Sequence, residues 1–335
     1  ISGEANGIKG FLFEYTSALW GELGCALKAW RRRGFDVIHL CNPPDLLFLV
    51  ALPFKMMAGV KVIFDVHDLW PEMFEAKFGR RGLMYWAVRL AERCTLALAD
   101  AVMATNQSVL SAVKSRGHKT DEETFVVRTA PNILSGSYSE NPELKRGRTH
   151  LVGYIGVMGN ADGVSYLVEA AHHIVHTRKR EDVQFLLMGS GPEHAELVQQ
   201  RDALGLQAQV DMPGRVTNEF LFTALKTIDL GVACDPINAY NDHCTMNKTL
   251  EYMAFGKAQA MFGTREGRYS AGDAAHYVME NSAEKLGDAI LEMLDDPARR
   301  ECMGRIGHER LTTELCWPKS VEQLLATYSW ALKTP

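Results

Sequence analysis

The sequence contains no hydrophobic run long enough to cross a membrane. The longest apolar stretch, residues 46–57, is interrupted by Pro53 and Lys55, whereas a transmembrane helix needs about 20 apolar residues. No basic segment followed by an apolar core opens the chain, so we expect no signal peptide. The chain opens at Ile1 with a helical pattern and no strand before it. Because an α/β domain normally begins with a strand, we expect an N-terminal segment to be missing.

Cysteine pairs and an excess of positive charge are also absent. The seven cysteines are an odd number and form no C-x-x-C pair, which argues against a disulfide framework and against a zinc knuckle. We therefore expect a reducing, cytoplasmic setting. The net charge of −5 over 335 residues gives no sign of a nucleic-acid partner.

Several catalytic signatures are missing as well. The glycine-rich segment 153–163 is spaced G-x-x-G-x-x-G, and the strand predicted at 183–188 is followed by Gly189 rather than an acid. A dinucleotide cofactor is therefore not expected. Asp242 and Glu251 are an unconvincing glycosidase pair, since one lies in a predicted loop and the other on a predicted helix. No nucleophile elbow of a Ser-His-Asp hydrolase is found.

What the chain does contain is a repeated alternation of strand and helix patterns. With 47% hydrophobic and 23% charged residues, it is long enough for two globular domains. Short β-branched runs alternating with amphipathic helices predict right-handed βαβ units and parallel sheets. The first series has strands at 36–40, 61–66, 100–104 and 124–128, with helices at about 11–32, 45–58, 82–98 and 107–115.

A polar segment with glycine and proline, residues 132–149, is predicted to link this series to a second one. The second series has strands at 151–156, 183–188, 208–212, 228–233 and 258–262, with helices at about 163–178, 191–204, 218–226, 248–255, 283–294, 297–314 and 318–333.

Residues 241–256, NDHCTMNKTLEYMAFG, stand where a buried strand passes into a helix. A helix that begins there leaves several backbone N–H groups without partners, which suits an anion such as a diphosphate. Lys248 adds a full positive charge. Glu251 lies about one turn into the helix, where a carboxylate can accept two hydrogen bonds from the diol of a ribose. Together these features predict a nucleotide site.

This stretch resembles the donor-binding motif of family-four glycosyltransferases, the retaining enzymes of the GT-B fold that use nucleotide diphosphate sugars. The common motif places two glutamates eight positions apart; here the second is Glu251 and His243 occupies the place of the first. A branch that reads NDxSTMNKxxEYMAxGKP also lacks the first glutamate and is closer to this chain. Cys244 and Ala258 depart from that pattern, in which the positions are Ser and Pro.

The resemblance implies a GT-B fold with two Rossmann-like domains facing a cleft, over residues 1–140 and 150–318. The last helix, 319–335, would cross back to the first domain. It also implies donor contacts from the glycine-rich loop, from the turn after the third strand of the second domain and from the TMNK segment. Many relatives carry Arg and Lys in the glycine-rich loop, and this chain has neither there. The implied donor-binding residues are Gly156, Met158, Gly159, Asn160, Gly214, Arg215, Val216, Thr245, Met246, Asn247, Lys248 and Glu251. A glycine-rich turn without a ligand is the alternative for the first of these loops.

In the first domain, the segment FDVHDLWPE ends a strand and enters a turn, where α/β proteins place reactive groups. A neutral imidazole at His67 can donate to or accept from a sugar hydroxyl, and Asp68 can orient it or cap the next helix. The family has a His-Asp pair here beside the donor sugar, which makes His67 and Asp68 the catalytic candidates. The alternative is a core histidine followed by a plain helix cap.

Three other motifs have simpler interpretations. The NPPD segment at 42–45 matches the branch, but it also fits a helix start with Pro44 at the first helical position. Glu266 and Arg268 match the branch's K-E-x-R, or form a local ion pair that stabilises a loop. His172 and His176 lie one helical turn apart without a third ligand in the sequence, so a solvated helix face is the simpler reading.

We therefore expect a metal-independent glycosyltransferase without a cofactor, which retains the anomeric configuration. The acceptor would be a saccharide or a lipid-linked saccharide in cell-envelope or polysaccharide synthesis. Basic clusters at 31–33 and 80–81 are compatible with peripheral contact at the inner face of the membrane. A nucleotide-sugar epimerase and a non-catalytic nucleotide-sugar binder are the alternatives. The base, sugar and acceptor cannot be read from the sequence.

Overall fold

The computed structural model describes residues 8–79, 81–131 and 138–333, and it divides into two compact units. Unit 1 comprises residues 1–128 and 318–335, and unit 2 comprises residues 129–317. Among the residues that the structure describes, no helix combines the length and the apolar character that a bilayer crossing would require.

Unit 1 is a parallel sheet covered by helices. Its strands are β1 (Val37–Cys41), β2 (Lys61–Val66), β3 (Ala101–Ala104) and β4 (Thr124–Val126). Its helices are α1 (Ile8–Arg33), α2 (Phe48–Ala58), α3 (Trp70–Phe78), α4 (Leu83–Leu98), α5 (Gln107–Gly117) and α13 (Trp317–Lys333), the last helix of the chain.

The four strands of unit 1 are hydrogen-bonded in the order β1-β2-β3-β4. Residues alternate between the two faces of each strand, so Val62 and Phe64 face one core and Ile63 faces the other. The second face is covered by α13, whose Ala331 is fully buried against it. The hydroxyl of Ser320 in α13 also donates to the backbone carbonyl of Arg128 at 2.8 Å.

Unit 2 has six strands. They are β5 (His150–Ile155), β6 (Val183–Met188), β7 (Val210–Gly214), β8 (Leu230–Ala233), β9 (Gln259–Phe262) and β10 (Ala275–Val278). The helices are α6 (Val164–His172), continued by a π-helical turn (His173–Thr177), α7 (His194–Ala203), α8 (Asn218–Thr227), α9 (Asn247–Ala254), α10 (Arg265–Ala271), α11 (Ala283–Asp295) and α12 (Pro297–Thr313).

The order of the second sheet is β10-β9-β8-β5-β6-β7, with every pairing parallel. The chain runs from β5 outward through β6 and β7, and then returns to the other side of β5 with β8. The direction of winding therefore reverses between β5 and β8. Crevices for ligands form at such a reversal, outside the carboxyl ends of the strands.

Most predicted strands and helices are present within two residues, and three elements were not predicted. Helix α3 follows the FDVHDL segment directly, and α10 with β10 replaces the loop expected at 265–277. These elements are short, with nine, seven and four residues, so periodicity gives little signal for them. The described part of the predicted linker packs on unit 2, since the ring of Tyr138 contacts that of Phe222 in a tilted arrangement, with ring centres 4.9 Å apart. Residues 132–137 of that prediction lie outside the described residues.

Candidate active site

In unit 2, the two loops at the reversal of winding are held together by a buried asparagine. The side-chain amide of Asn241, in the loop after β8, donates to the carbonyl of Ala161 in the loop after β5 and to that of Pro236, each at 2.9 Å. Asn241 is 1% exposed. The NDHC part of the motif thus fixes the glycine-rich loop against the segment that leads into α9.

The charge of Lys248 is compensated within this structure. Its ammonium donates to the Asp235 carboxylate at 2.7 Å, lies 3.6 Å from Asp162 and sits over the Tyr154 ring at 5.1 Å. Lys248 is 7% exposed and Asp235 4%. Burial alone would lower the pKa of Lys248, but the two carboxylates raise it above its usual value. We call Lys248, Asp235 and Asp162 the Lys248 cluster.

The compensation bears on the phosphate role expected for Lys248. An ammonium that already faces two carboxylates is not a free positive charge, so a diphosphate can use it only by replacing one of them. Asp162 is the more exposed partner and the more distant one. The role of Lys248 in phosphate binding stays a prediction that requires this exchange.

Glu251 lies one turn into α9, as the sequence predicted, and it is half-buried. Within the described residues its carboxylate takes part in no hydrogen bond or ion pair. Burial raises the pKa of Glu251, and the charge of Lys248 opposes the rise. The side chain is therefore an acceptor whose hydrogen-bonding capacity is available to a ligand.

The glycine-rich loop is packed tightly against the loop after β6. Gly189 has φ +146° and a Cβ there would lie 1.8 Å from the carbonyl oxygen of Gly156. A Cβ on Gly191 would lie 2.4 Å from the carbonyl oxygen of Met158. The glycines of MGSG thus permit two backbones to touch, a function that the sequence reading did not assign to them.

The predicted loop residues have different exposures. Met158 is fully buried in the core of unit 2, and its backbone N–H donates to Ser190 at 3.2 Å. Its side chain is therefore a core residue, so a contact of Met158 with the donor would come from its backbone, and the role expected for it stays a prediction. Asn160 is exposed and Gly159 is half-buried. Gly156 packs against the Lys248 side chain, since a Cβ on Gly156 would lie 3.2 Å from Cε of Lys248.

The turn after β7 lies next to these loops. The carbonyl of Gly214 accepts a hydrogen bond from the N–H of Gly189 at 2.9 Å. Arg215 is exposed, whereas Val216 packs partly against the core beneath α8 and α9. The structure therefore brings the turn to the same edge of the sheet as the glycine-rich loop.

The TMNK segment forms the start of α9. Met246 is the residue that precedes the helix, and it makes no side-chain cap. Asn247 is exposed, and Thr245 is half-buried in the preceding loop. The first N–H groups of α9 are thus not capped by the side chain of Met246, which fits the anion role predicted from the sequence.

Glu266 and Arg268 do not form the predicted alternative, a local ion pair. They lie in helix α10, where Glu266 is 2% exposed and Arg268 is exposed. No ion pair joins them among the described residues. The hydroxyl of Ser270 donates to Glu266 at 3.4 Å, so the glutamate is part of the packing around α10.

In unit 1, His67 is oriented by Asp65 rather than by Asp68. Its Nε2 lies 3.0 Å from Oδ2 of Asp65, and the same oxygen lies 3.3 Å from Nε2 of His39. The hydrogen bond to Asp65 and a further one to Cys41 raise the pKa of His67 to about 10. These contacts favour the protonated form of His67, whereas we expected a neutral ring.

Asp68 is not the cap of the following helix either. The residue before α3 is Leu69, and no side chain caps that helix. Instead, the backbone of the His67–Asp68 turn is bound by Asn42: its amide oxygen accepts from the N–H of His67 at 2.8 Å, and its NH₂ donates to the carbonyl of Asp68 at 2.8 Å. The NPPD segment thus positions the candidate catalytic turn.

Two acids near this turn have structural partners. Asp45 is 1% exposed and accepts from the amide of Asn42 at 2.7 Å; burial raises its pKa to about 8 although that hydrogen bond opposes the rise. Pro44 precedes the short helical turn at 45–47 and is not its first residue, which corrects our expectation. Glu72 of the HDLWPE segment is bound by Arg116, which also donates to Glu92 at 2.8 Å.

One pocket of unit 2 lies beside the glycine-rich loop but does not suit a diphosphate. It has a volume of about 660 Å³ and lies between α6 and α7, with Asn160 at its rim. Three glutamates, Glu169, Glu193 and Glu196, line it. Their negative charge would repel phosphate, so this pocket does not match the diphosphate site predicted from the sequence.

Sequence reasoning missed the residues that hold the predicted site residues in place in both units. In unit 2 these are Asp162, Asp235 and Asn241, and in unit 1 they are Asn42 and Asp65. Four of the five follow a strand end in the sequence, and the fifth, Asp65, lies next to one. A search for polar residues at the carboxyl ends of predicted parallel strands would have found them.

Comparisons with known proteins agree with this architecture. Residues 149–296 match the domain family described as glycosyl transferases group 1, and residues 9–127 match the glycosyl transferase 4-like domain. An alpha-D-kanosaminyltransferase from Streptomyces kanamyceticus is 28% identical over 157 residues, which cover 46% of this chain and 38% of that relative. The chain thus spans less than half of the length of this curated relative.

Solved structures show the fold. Sucrose-phosphate synthase from Thermosynechococcus elongatus has a TM-score of 0.75 at 18% identity, over 94% of this chain and 78% of that one. HepE from Anabaena, in complex with UDP-glucose, has a TM-score of 0.71 at 16% identity, over 92% and 81%. The fold is that of GT-B glycosyltransferases, and the domain matches together with the relative support a glycosyltransferase of the family-four type.

Proposed function

We propose that this chain transfers a sugar from a nucleotide diphosphate sugar to a saccharide or lipid-linked acceptor, with retention of the anomeric configuration. One observation carries the proposal most directly. At the reversal of winding in the second sheet, the accessible carboxylate of Glu251 lies one turn below the start of α9, beside loops fixed by Asn241. An anion site and a diol acceptor about one helical turn apart suit a nucleotide.

The donor contacts follow from this arrangement. Glu251 accepts hydrogen bonds from the ribose hydroxyls. The diphosphate lies at the first N–H groups of α9, with Thr245, Met246 and Asn247 around it, and along the backbone of Gly156, Gly159 and Asn160. The turn at 214–216 offers backbone groups to the base. UDP-glucose in the HepE complex is a reason to test uridine nucleotides first.

Catalysis would rest on electrostatics rather than on a bound metal or cofactor. The leaving diphosphate gains negative charge in the transition state, and preorganised N–H groups with a cation stabilise it. Lys248 supplies that cation if a phosphate replaces Asp162 beside it. Breaking the Lys248–Asp162 contact costs less than breaking the shorter contact to Asp235, because Asp162 has access to solvent.

His67 acts on the donor sugar as a hydrogen-bond donor. The Asp65 carboxylate favours the charged ring and binds Nε2, and in this proposal Nδ1 positions a sugar hydroxyl. Asn42 fixes the backbone of His67, so the ring starts from a defined place. A positioned donor of this kind orients the sugar for attack without forming a covalent intermediate.

Peripheral contact with a cytoplasmic membrane surface fits the exposed face of α4. Leu83, Trp86 and Leu90 are 87%, 62% and 63% exposed, and their spacing of three and four residues places them on one side of the helix. Arg31, Arg32 and Arg33 are also exposed. The measurement is co-sedimentation with vesicles that contain anionic lipid. Binding that is weakened by Trp86→Ser and by added salt would support this part of the proposal. Equal sedimentation of the unaltered protein and Trp86→Ser would contradict it.

The donor site is tested by titrating the chain calorimetrically with UDP, GDP and ADP. One nucleotide should bind, and Glu251→Ala should weaken that binding by about 1–3 kcal/mol, the cost of losing a charged hydrogen-bond partner. Glu284→Ala is the matched control, because Glu284 is an exposed glutamate on α11 of the same unit. Equal weakening by both variants would contradict the assignment of Glu251.

The reaction class is separated from its rivals by following the donor sugar over time. Transfer requires an acceptor and yields free nucleotide. An epimerase would change the sugar without an acceptor, and a non-catalytic binder would bind the nucleotide and leave the sugar intact. Suppose that the donor binds but no free nucleotide is released from it when a range of saccharide acceptors, including lipid-linked ones, is present. That result would favour the non-catalytic binder.

A further inference from the structure

Four metal-binding side chains meet on one face of the first sheet. His39 and Cys41 are two residues apart on β1, and Asp65 and His67 are two residues apart at the end of β2, so each pair shares a face. The strand register sets Cys41 opposite Asp65 and His39 opposite Ile63. All four side chains therefore lie on the same side of the sheet, the side that α13 covers. We call these four residues the His39 cluster.

The distances between the candidate ligand atoms are close to those of a tetrahedral zinc site. Oδ2 of Asp65 lies 3.3 Å from Nε2 of His39, 3.0 Å from Nε2 of His67 and 4.0 Å from Sγ of Cys41. Ligand atoms of His39, Cys41 and Asp65 all lie within 4.8 Å of one another. Zinc bonds of about 2.0–2.3 Å place tetrahedral ligands roughly 3.3–3.8 Å apart. His67 is not part of this three-residue group and approaches it through Asp65, so its ring must move toward the other ligands for one ion to be bound by all four.

The four side chains of the His39 cluster also match the ligands preferred by a divalent ion of intermediate softness. Two imidazoles, one thiolate and one carboxylate are ligands that Zn²⁺ accepts. The thiolate and the carboxylate carry two negative charges, which balance the charge of the ion. Protons held by the ligating atoms pass to the solvent on binding, and a thiol that coordinates zinc is deprotonated.

The outer contacts hold the ligands in place. Nδ1 of His39 is 2.8 Å from the hydroxyl of Tyr328 in α13, which leaves Nε2 to face the cluster. Ligating histidines usually have such a partner on the other ring nitrogen. For His67 the support is to the main chain, where the backbone N–H donates to Asn42 Oδ1 at 2.8 Å. Access is open, since Cys41 is exposed and the His67 side chain is 47% exposed.

We propose that His39, Cys41, Asp65 and His67 form a binding site for Zn²⁺ or a cation of the same class. The site is separate from the donor site of unit 2, and its existence does not depend on sugar transfer. If His67 also positions the donor sugar, a bound ion replaces Asp65 as the partner of Nε2 and moves the ring, which displaces the nitrogen that faces the sugar. We therefore expect zinc to lower the rate of transfer.

The site is tested first by metal binding. We expect one equivalent of Zn²⁺ by calorimetry and no comparable binding of Mg²⁺, which prefers oxygen ligands. Co²⁺ should give a near-ultraviolet thiolate charge-transfer band and the strong visible bands of a tetrahedral ion. Cys41→Ser should abolish the charge-transfer band. Absence of the band in the unaltered protein would overturn the proposal.

Variants separate this site from adventitious binding. His39→Gln should weaken zinc binding by more than the roughly 10–100-fold expected for an outer contact, and Tyr328→Phe should fall within that range. The control is His176→Asn, because the exposed His176 and the half-buried His172 form a second histidine pair in unit 2, with ring centres 4.8 Å apart. Binding that is lost in His176→Asn and kept in Cys41→Ser would contradict the assignment.

A folding control keeps the test decisive. Zinc should raise the melting temperature of the unaltered chain, since a ligand that binds only the folded state stabilises it. Cys41→Ser should unfold cooperatively near the metal-free temperature of the unaltered protein and show no rise with zinc. A rise of equal size in both proteins would show that the ion binds elsewhere.

Discussion

The His39 cluster and the Lys248 cluster occupy equivalent places and differ in exposure. Each lies where parallel strands end, and each mixes cationic and anionic side chains. The side chains of Asp65 and His67 are 15% and 47% exposed, whereas Lys248 and Asp235 are 7% and 5% exposed. An accessible cluster can exchange protons and ligands with solvent at modest cost, while a dry one must keep its charges paired. The two clusters therefore differ in how a ligand can enter: the His39 cluster is open to solvent, whereas a phosphate must replace Asp162 to reach Lys248.

The largest effect should come from removing the buried cation. Lys248→Met leaves Asp235 without its partner in a dry environment, and breaking a buried pair in this way costs about 3–5 kcal/mol. Urea unfolding, followed by circular dichroism, measures the change in the free energy of unfolding. Lys285→Met is the control, because Lys285 pairs with Glu280 on the surface, where such pairs contribute about 0–1 kcal/mol.

A double variant sharpens this test. Asp235→Asn in the Lys248→Met background removes the unpaired charge, so much of the lost stability should return. If the single Lys248→Met variant is as stable as Lys285→Met, the Lys248 cluster does not hold the loops of unit 2 as we describe.

A smaller effect should come from the two buried asparagines. Asn42 binds the His67–Asp68 turn in unit 1 and Asn241 binds the Ala161 loop in unit 2. Replacing either with Ala leaves buried polar groups unpaired, at a cost of about 1–3 kcal/mol. Urea unfolding of both variants should show similar losses. The exposed Asn218→Ala in α8 should remain within about 0.5 kcal/mol.

The two asparagine variants should differ in function. Asn42→Ala should lower the rate of transfer more than the affinity for nucleotide, because it releases His67. Asn241→Ala should lower the affinity for the nucleotide itself, because it releases the loops around the proposed donor site. Identical kinetic effects of both variants would indicate a general loss of folded protein.

The next effect is a pH dependence of nucleotide binding. Burial raises the pKa of Glu251, so its carboxylate is present above this raised pKa and is lost at a higher pH than for an ordinary glutamate. Affinity should therefore decline as the pH falls through that range. Glu251→Gln should bind more weakly and retain only the dependence due to the phosphates of the nucleotide. Parallel profiles for both proteins, measured by calorimetry, would exclude Glu251 as the acceptor.

The smallest expected effect is a difference in reactivity between two cysteines. Cys41 is exposed, whereas Cys234 is fully buried and follows β8. Iodoacetamide should alkylate Cys41 in the folded protein and leave Cys234 unmodified, as peptide mass spectrometry would show. Zn²⁺ should protect Cys41, while the exposed Cys302 on α12 continues to react. Equal reaction of Cys41 with and without zinc would argue against the metal site.

The sequence predicted the parallel sheets well because their strands are buried and apolar. Strands β2 and β6 have the predicted bounds, 61–66 and 183–188, since both are mostly apolar, largely buried runs flanked by polar turns. The sequence did not predict α3 and α10, which are separated from the end of the preceding strand by three and two residues. Short elements that are fixed by tertiary contacts, such as the bond from Arg265 N–H to Asp242 at 2.9 Å, leave little periodic pattern.

The position of the candidate site could be predicted, but the ion pairs and hydrogen bonds within it could not. The place of Glu251 on its helix followed from periodicity alone. That Lys248 would be neutralised could not be read from the sequence, because Asp235 and Asp162 are 13 and 86 residues away. The same is true of His67, whose state depends on Asp65 and on strand register. Burial and charge compensation arise only when separate strands are brought side by side.

Helix α13 has a consequence for the order in which the molecule is made. The face of the first sheet that carries Ile63, Ala101 and Met103 is covered by the last helix of the chain. During synthesis, unit 2 can leave the ribosome complete while that face still lacks its cover. The sheet of unit 1 is therefore translated before unit 2 and finished after it. His39 likewise gains its outer partner, Tyr328, only after unit 2 has been translated.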